Sequence, residues 1–228
     1  MWDEMADTYP LDFTRASISK AVSIAERMEE RRTALDIGCG PGNMTIPLAG
    51  LFEEVTAADS SPRMLDRLER ECRDRSIGNV RTVNTDCMDL EPGVRYDLVL
   101  TCLCPGMYSE KAADLMTSLS CGRCVYIGPT YKEKAGVRGI LEDLGFEMHP
   151  FFETEDLVRH LSEGYGVEIT GLTEPHNYPD RQSIIDRCVR MAHADEEGAR
   201  RISEHVMDMP EKELPRDRKL LCLEWSPE

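Results

Sequence analysis

No stretch of this sequence approaches the roughly 20 consecutive apolar residues that cross a bilayer, so no membrane-spanning helix is expected. The opening Met1-Trp2-Asp3-Glu4 is acidic and has no apolar run, which argues against a secretory signal there. A basic face is missing too. With 27 Lys+Arg against 43 Asp+Glu the formal net charge is -16. A nucleic-acid binder must neutralise phosphates, so DNA, RNA and anionic membrane surfaces are disfavoured as partners. The nine cysteines are scattered and odd in number. In a chain of this size that suggests reduced thiols and a cytoplasmic location rather than a disulfide framework. The sequence has no internal repeat beyond a strand–helix unit, no low-complexity tract and no clear linker. A single domain over residues 1–228 is the simplest reading, and the chain is long enough to bury a proper core.

What is present is an alternation of short apolar runs and amphipathic segments. After an aromatic-tipped lead, Ile18, Val22, Ala25 and Met28 recur at helical spacing within residues 1–31. Strands are expected at Ala34–Ile37, Val55–Ala58, Val80–Val83, Tyr96–Thr101 and Cys124–Ile127. Helices are expected between them, notably at Lys111–Leu119 and Gly136–Leu144. Ser61 is a natural N-cap, with Pro62 at the first helical position and Leu65, Leu68 and Cys72 on one face. Gly166–Leu172 and Leu220–Trp225 supply two further strands. The polar, helix-like stretch from about Asp180 to Asp208 reads as a helical cap within residues 174–210. Strands alternating with helices predict an α/β, doubly wound, seven-stranded, mostly parallel sheet.

In such a sheet ligands bind beyond the carboxyl ends of the strands. Residues 32–130 therefore hold the expected cofactor site. Leu35-Asp36-Ile37-Gly38-Cys39-Gly40-Pro41-Gly42 is a tight turn that lets backbone approach a ligand. Asp59 follows Gly38 by 21 positions, at the end of the second strand, where a carboxylate accepts from both hydroxyls of a ribose. A dinucleotide turn needs glycine three positions after Gly40, but Asn43 stands there. Asp36 would repel a diphosphate yet suits an ammonium group. S-adenosylmethionine, with an amino-acid end, a sulfonium and no phosphate, fits this acidic turn better.

These segments resemble those of class I, Rossmann-like S-adenosylmethionine-dependent methyltransferases. Asp36–Gly42 is similar to that family's first motif and Ala57–Leu65 to its second. Asn84-Thr85-Asp86-Cys87 is similar to its third, Tyr96–Leu100 to its fourth strand, and Trp2–Tyr9 to the opening of many small-molecule members. The resemblance covers about residues 1–130. It implies a methionine moiety near Asp36, Gly38, Cys39, Gly40 and Gly42, and a ribose near Asp59, with Ser60 and Met64 beside it. It also implies an adenine near Asp86 and Cys87, and a methyl group near Thr101 and Cys102.

For the acceptor side the sequence says less. Tyr9, Trp2 and Tyr108 are candidates for an aromatic wall, and Cys104 and His176 are further candidates to line the substrate pocket. Where some amino-methylating relatives carry Asn-Pro-Pro-Tyr, this chain reads Cys104-Pro105-Gly106-Met107-Tyr108, which removes the side-chain amide and argues against base N-methylation. No general base is evident. Cys121 and Cys124 form a lone C-x-x-C pair, expected at the opposite sheet edge from Cys102 and Cys104. His149, His160, His193 and His205 show no ligand spacing, so no metal site is expected. The expected function is methyl transfer from S-adenosylmethionine to an unidentified small-molecule acceptor, a metabolite or a protein side chain. A non-catalytic S-adenosylmethionine-binding partner subunit and an NAD-dependent oxidoreductase are the alternatives.

Overall fold

Apolar residues on both faces of a strand demand cover on both sides, and the first strand sets that pattern. In this computed structural model, which describes residues 2–91, 93–130, 136–146, 154–176 and 180–227, β1 (Thr33–Ile37) is buried from Ala34 onward. It lies at the middle of a seven-stranded sheet with β2 (Glu54–Asp59), β3 (Val80–Asn84), β4 (Tyr96–Cys102), β5 (Ser120–Pro129), β6 (Glu168–Pro175) and β7 (Asp217–Trp225). The order is β3-β2-β1-β4-β5-β7-β6. Pairing is parallel from β3 through β5, whereas β7 runs antiparallel to both β5 and β6. The strand order reverses between β1 and β4, which is where a crevice opens in an open α/β sheet.

The helices cover the sheet by the period-two rule of strands. Leu98 and Leu100 of β4 face α2 (Ala16–Glu26) and share a core with Ile18, Ala21 and Ile24. Val99 faces the other way, into a core with Met116 of α5 (Glu110–Leu119) and Leu157 and Leu161 of α7 (Thr154–Gly164). On the first face α3 (Thr45–Ala49) adds Leu48, and α4 (Pro62–Asp74) lays Leu65, Leu68 and Cys72 against β2. Ser61 caps α4 by accepting from Met64 N at 3.2 Å, with Pro62 in the first turn, as the sequence indicates.

Several boundaries differ from the sequence reading. The helix α2 ends at Glu26, so Met28 lies beyond it and packs on the core from outside the helix. The strand β5 begins four residues before Cys124, through an irregularity opposite Tyr96–Leu98 where a side chain on Gly122 would strike the Asp97 carbonyl. The strand β6 starts two residues later than the apolar run Gly166–Leu172. The helix α7 was not expected, because its apolar residues Leu157, Val158 and Leu161 are few and set among charges. The segment read as a cap forms α8 (Arg181–Ala192) and α9 (Glu196–Asp208). Ile184, Ile185, Cys188, Ile202 and Val206 pack with Val137, Ile140 and Leu141 of α6 (Gly136–Asp143) in a separate cluster. Asp195 caps α9, as negative charge at a helix start suggests.

Leu100 is fully buried between α2 and the β-sheet neighbours. Leu100→Ala is expected to cost about 3 kcal/mol in urea unfolding, from lost transfer free energy plus a cavity; a cost below about 1 kcal/mol would contradict this packing.

Candidate functional site

The turn after β1 is fixed by hydrogen bonds to β2. Gly38 N and Cys39 N both donate to Ala58 O, at 2.8 and 3.1 Å. Gly40 N donates to Asp59 Oδ2 at 2.8 Å, and Ser61 N to Asp59 Oδ1 at 2.9 Å. The Asp59 carboxylate thus ties the turn after β1 to the start of α4, with lone pairs left for a ligand. Two glycines are sterically required. Gly38 has φ +72°, and a Cβ there would lie 2.5 Å from Cys104 Sγ. Gly42 has φ +104°, and a Cβ there would lie 2.5 Å from Leu68 Cδ1.

Behind the turn, Asp36 is 1% exposed and accepts from Thr45 Oγ1 at 2.6 Å. Burial lifts its pKa from 3.8 to about 7; the Thr45 hydrogen bond opposes the rise and nearby Asp59 adds to it. A carboxyl poised at this value ionises fully when a cation is placed against it.

These groups open onto a cavity of about 240 Å³ beyond the carboxyl ends of β1, β2 and β4. Asp36, Gly38, Cys39 and Gly40 line it from the turn. Asp59, Ser60 and Met64 line it from the end of β2 and the start of α4. Asp86 and Cys87 follow β3, with Asp86 also capping a short 3-10 turn by accepting from Met88 N at 3.0 Å. Cys102 and Cys104 come from the end of β4, and Tyr9 and Trp2 from the N-terminal lead. The Cys104 thiol donates to Cys87, which lowers the pKa of Cys87 and raises that of Cys104.

Four expected residues do not line the cavity. Gly42 packs against Leu68 and Ile46. Thr101, expected near the methyl group, is 1% exposed and donates to Ile37 O at 2.9 Å, locking β4 to β1. Tyr108 stands edge-on to Tyr126, with ring centroids 6.3 Å apart. His176 sits at the end of β6 beside Gly136, and burial with the charges of Arg218 and Arg187 lowers its pKa to about 4. His149 and the segment Asn177–Pro179 lie outside the described residues. No described residue of α8 or α9 lines the cavity. Cys121 and Cys124 sit at the far end of β5 from Cys102 and Cys104, and no metal-binding cluster of His, Cys, Asp or Glu occurs among the described residues.

The structure adds residues that sequence reasoning passed over. Asn43 accepts from Asp12 N at 2.9 Å and donates to Pro10 O at 3.0 Å, so the residue that breaks a dinucleotide motif anchors the lead over the cavity. The short helix α1 (Trp2–Met5) and the residues after it are also held to α4, where Arg67 donates to the carbonyls of Ala6 and Tyr9 and Arg63 pairs with Asp7. Leu103, with φ +55°, lines the cavity in a strained backbone conformation. Arg15, Ser17 and Arg218 also line it, Arg218 from β7, which the strand order sets far from β3 and Asp86. Arg218 is directly opposite Glu174 in the β6–β7 register and donates to it through Nε at 2.8 Å and through Nη2. Ser17 N donates to the other Glu174 oxygen at 3.0 Å. Burial alone would raise the pKa of Glu174, but Ser17 and Arg218 outweigh it and hold the carboxylate ionised. No local pattern singled this group out, since Glu168 shares β6 with Glu174 and Arg218 stands between Asp217 and Lys219.

Sheet order and glycine turn together define a doubly wound α/β fold with its cavity where the strand order reverses. Over residues 34–120 the chain matches the family described as a methyltransferase domain. A 69-residue stretch is 41% identical to a trans-aconitate 2-methyltransferase of Methylobacterium radiotolerans, spanning 27% of this chain and 26% of the relative. A 73-residue stretch is 33% identical to a tRNA/tmRNA (uracil-C(5))-methyltransferase of Campylobacter curvus, spanning 32% of this chain and 19% of the relative. The chain therefore spans about a quarter or less of the length of these curated relatives. The solved structure of an S-adenosylmethionine-dependent methyltransferase from Thiobacillus denitrificans, in complex with S-adenosyl-L-homocysteine, superposes with a TM-score of 0.63 at 13% identity, covering 99% of this chain and 97% of that one.

Gly38→Ala forces a Cβ onto Cys104 and a side chain into positive φ. The variant is expected to lose about 2 kcal/mol of stability in urea unfolding, whereas Gly40→Ala, which meets nothing within 4 Å, should lose only its backbone strain. Equal losses for the two would refute the steric account.

Proposed function

We propose that this protein is an enzyme that transfers the methyl group of S-adenosylmethionine to a small-molecule acceptor, with residues 32–130 as its cofactor-binding half. The observation that carries this is the acidic cradle: Asp36, Asp59 and Asp86 all line the cavity along the strand ends. A diphosphate would meet three carboxylates there, while a cofactor with an ammonium, a ribose and an adenine suits each of them. The methyltransferase domain match and the relatives' names support the reading. One relative is named for trans-aconitate and another for RNA; the net charge of -16 favours the small molecule.

When bound, S-adenosylmethionine supplies an activated methyl on a sulfonium, and the protein's task is alignment. Asp36 orients the ammonium and gains its full charge in doing so. Asp59 accepts from the ribose while still gripping Gly40 and Ser61. Cys87 and Asp86 border the adenine. The N-terminal lead, fixed by Asn43, brings Tyr9 and Trp2 over the opening and excludes water. Burial raises the pKa of Tyr9, so its phenol keeps its proton and serves as a donor, not a base. Burial likewise pushes Cys102 up to about 12.

Asp36 gives a pH test. Its pKa in the empty protein, about 7, lies above its ordinary 3.8. The empty fold therefore gains stability from the protonated carboxyl at low pH and loses that gain as pH rises through about 7. Binding an ammonium requires the ionised form. Calorimetric affinity for S-adenosylhomocysteine should rise from about pH 6 to about pH 8. Asp36→Asn should flatten that slope and weaken binding by about tenfold or more at the upper end. No calorimetric binding by the intact protein at either pH would sink the function proposed.

A further inference from the structure

The end of the cavity remote from Asp86 is unlike the cofactor end. Arg15 is 8% exposed and Arg218 lines the wall with a side chain 19% exposed. Holding two guanidiniums away from water costs free energy unless their donors are met. Glu174, whose side chain is fully buried, takes the Nε and one Nη donor of Arg218 on a single oxygen, and Ser17 N fixes the other oxygen. Arg218 is thereby held in one orientation with donors left over, since a guanidinium has five N–H groups in a rigid fork. Beside it stand Tyr9, Ser17 and Cys102. The two ionisable groups among these three, the Tyr9 phenol and the Cys102 thiol, both stay protonated at neutral pH.

Two constraints meet there. The wall presents a fixed cation edge, and its Tyr9 and Cys102 offer no base to strip a proton from an acceptor. An acceptor matched to both is already ionised when it arrives. Resting on the function proposed above, we propose that the acceptor is a small di- or tricarboxylic acid, one carboxylate docking on Arg218 and another taking the methyl group. A single negative charge suits the one free edge of a guanidinium already neutralised by Glu174, which favours a carboxylate over a phosphate dianion. The carboxylate oxygen forms the new O–CH3 bond as the S–CH3 bond breaks, and the electron pair of that bond returns to sulfur. The products are a methyl ester and S-adenosylhomocysteine, and no proton changes hands. Arg218 is on this account a specificity residue, and Glu174 positions it.

The experiment is labelled-methyl transfer by the intact protein to four panels of small metabolites: polycarboxylates, phosphate monoesters, neutral alcohols and phenols, and amines. Transfer to polycarboxylates, with label released as methanol by mild alkali, is expected. Transfer only to the other panels, a base-stable product, or no transfer to any polycarboxylate overturns the proposal. S-adenosylhomocysteine calorimetry on the same sample separates this failure from failure of the methyltransferase reading, which predicts binding whatever the acceptor. Arg218→Lys keeps the charge and the pairing with Glu174 but loses the fork. It is expected to raise KM for the methylated polycarboxylate about tenfold with kcat little changed, and to leave S-adenosylhomocysteine affinity within about threefold. A parallel fall in S-adenosylhomocysteine affinity would assign Arg218 to the cofactor instead and overturn the role given to it.

Discussion

The turn after β1 must pass between Cys104 and Leu68 with no side chain to spare. A Cβ on Gly38 strikes the first and a Cβ on Gly42 the second. That squeeze places the loop after β4, the N-terminus of α4 and the backbone of residues 38–42 within one small volume. It is also what lets Asp59 reach the Gly40 N–H and the Ser61 N–H with its two oxygens. Loosening the turn would free Asp59, and with it the orientation of α4. The N-terminal lead would then lose its footing, because Arg63 and Arg67, which hold it, stand on the first turns of that helix.

Charge is partitioned along the same crevice. At the glycine end, carboxylates dominate and one of them, Asp36, is buried far enough to sit near neutrality. At the other end, guanidiniums are held by carboxylates that do not reach the glycine turn. The antiparallel course of β7 produces this division. Were β7 parallel to β5, its amino end would lie at the far edge of the sheet. Antiparallel pairing with β5 and β6 instead brings Arg218 to the edge where β1, β2 and β4 end, directly across from Glu174. The antiparallel course of β7 is therefore what puts Arg218 into the cavity.

How much of this was legible in the sequence follows from contact range. The strands, the cap at Ser61 and the acidic strand ends are local patterns, and residues chosen from them, such as Asp36, Asp59, Asp86 and Cys87, do line one cavity. Thr101, which the resemblance placed with Cys102 near the methyl group, does not line the cavity: successive residues of a strand point to opposite faces, and its buried hydroxyl takes a nearby carbonyl, Ile37 O. Asn43 carried a signal that was read only as an absence. Its side chain, standing where a dinucleotide motif needs a hydrogen, is used to bind the lead. Ser17 and Arg218 carried no local signal at all. They matter because of partners 157 and 44 positions apart in the Ser17–Glu174 and Glu174–Arg218 hydrogen bonds, and such separations leave no periodicity to read.

This split in range has a consequence for how the two halves of the site are constrained. The glycine end of the cavity is built from consecutive residues after single strands, and its geometry is fixed by the bonds of Gly38 N and Cys39 N to Ala58 O together with the Asp59 carboxylate. The other end is assembled from α2, β6 and β7, and the carboxylate of Glu174 ties it together, shared between Ser17 and Arg218. Replacing that one pair alters the polarity of the wall without touching the turn, since among the described residues no hydrogen bond of residues 38–42 runs to β6 or β7. One end of the cavity thus follows rules visible in short motifs and the other depends on a few long-range contacts, which is why the first was readable from the sequence and the second became so only when the strands were seen side by side.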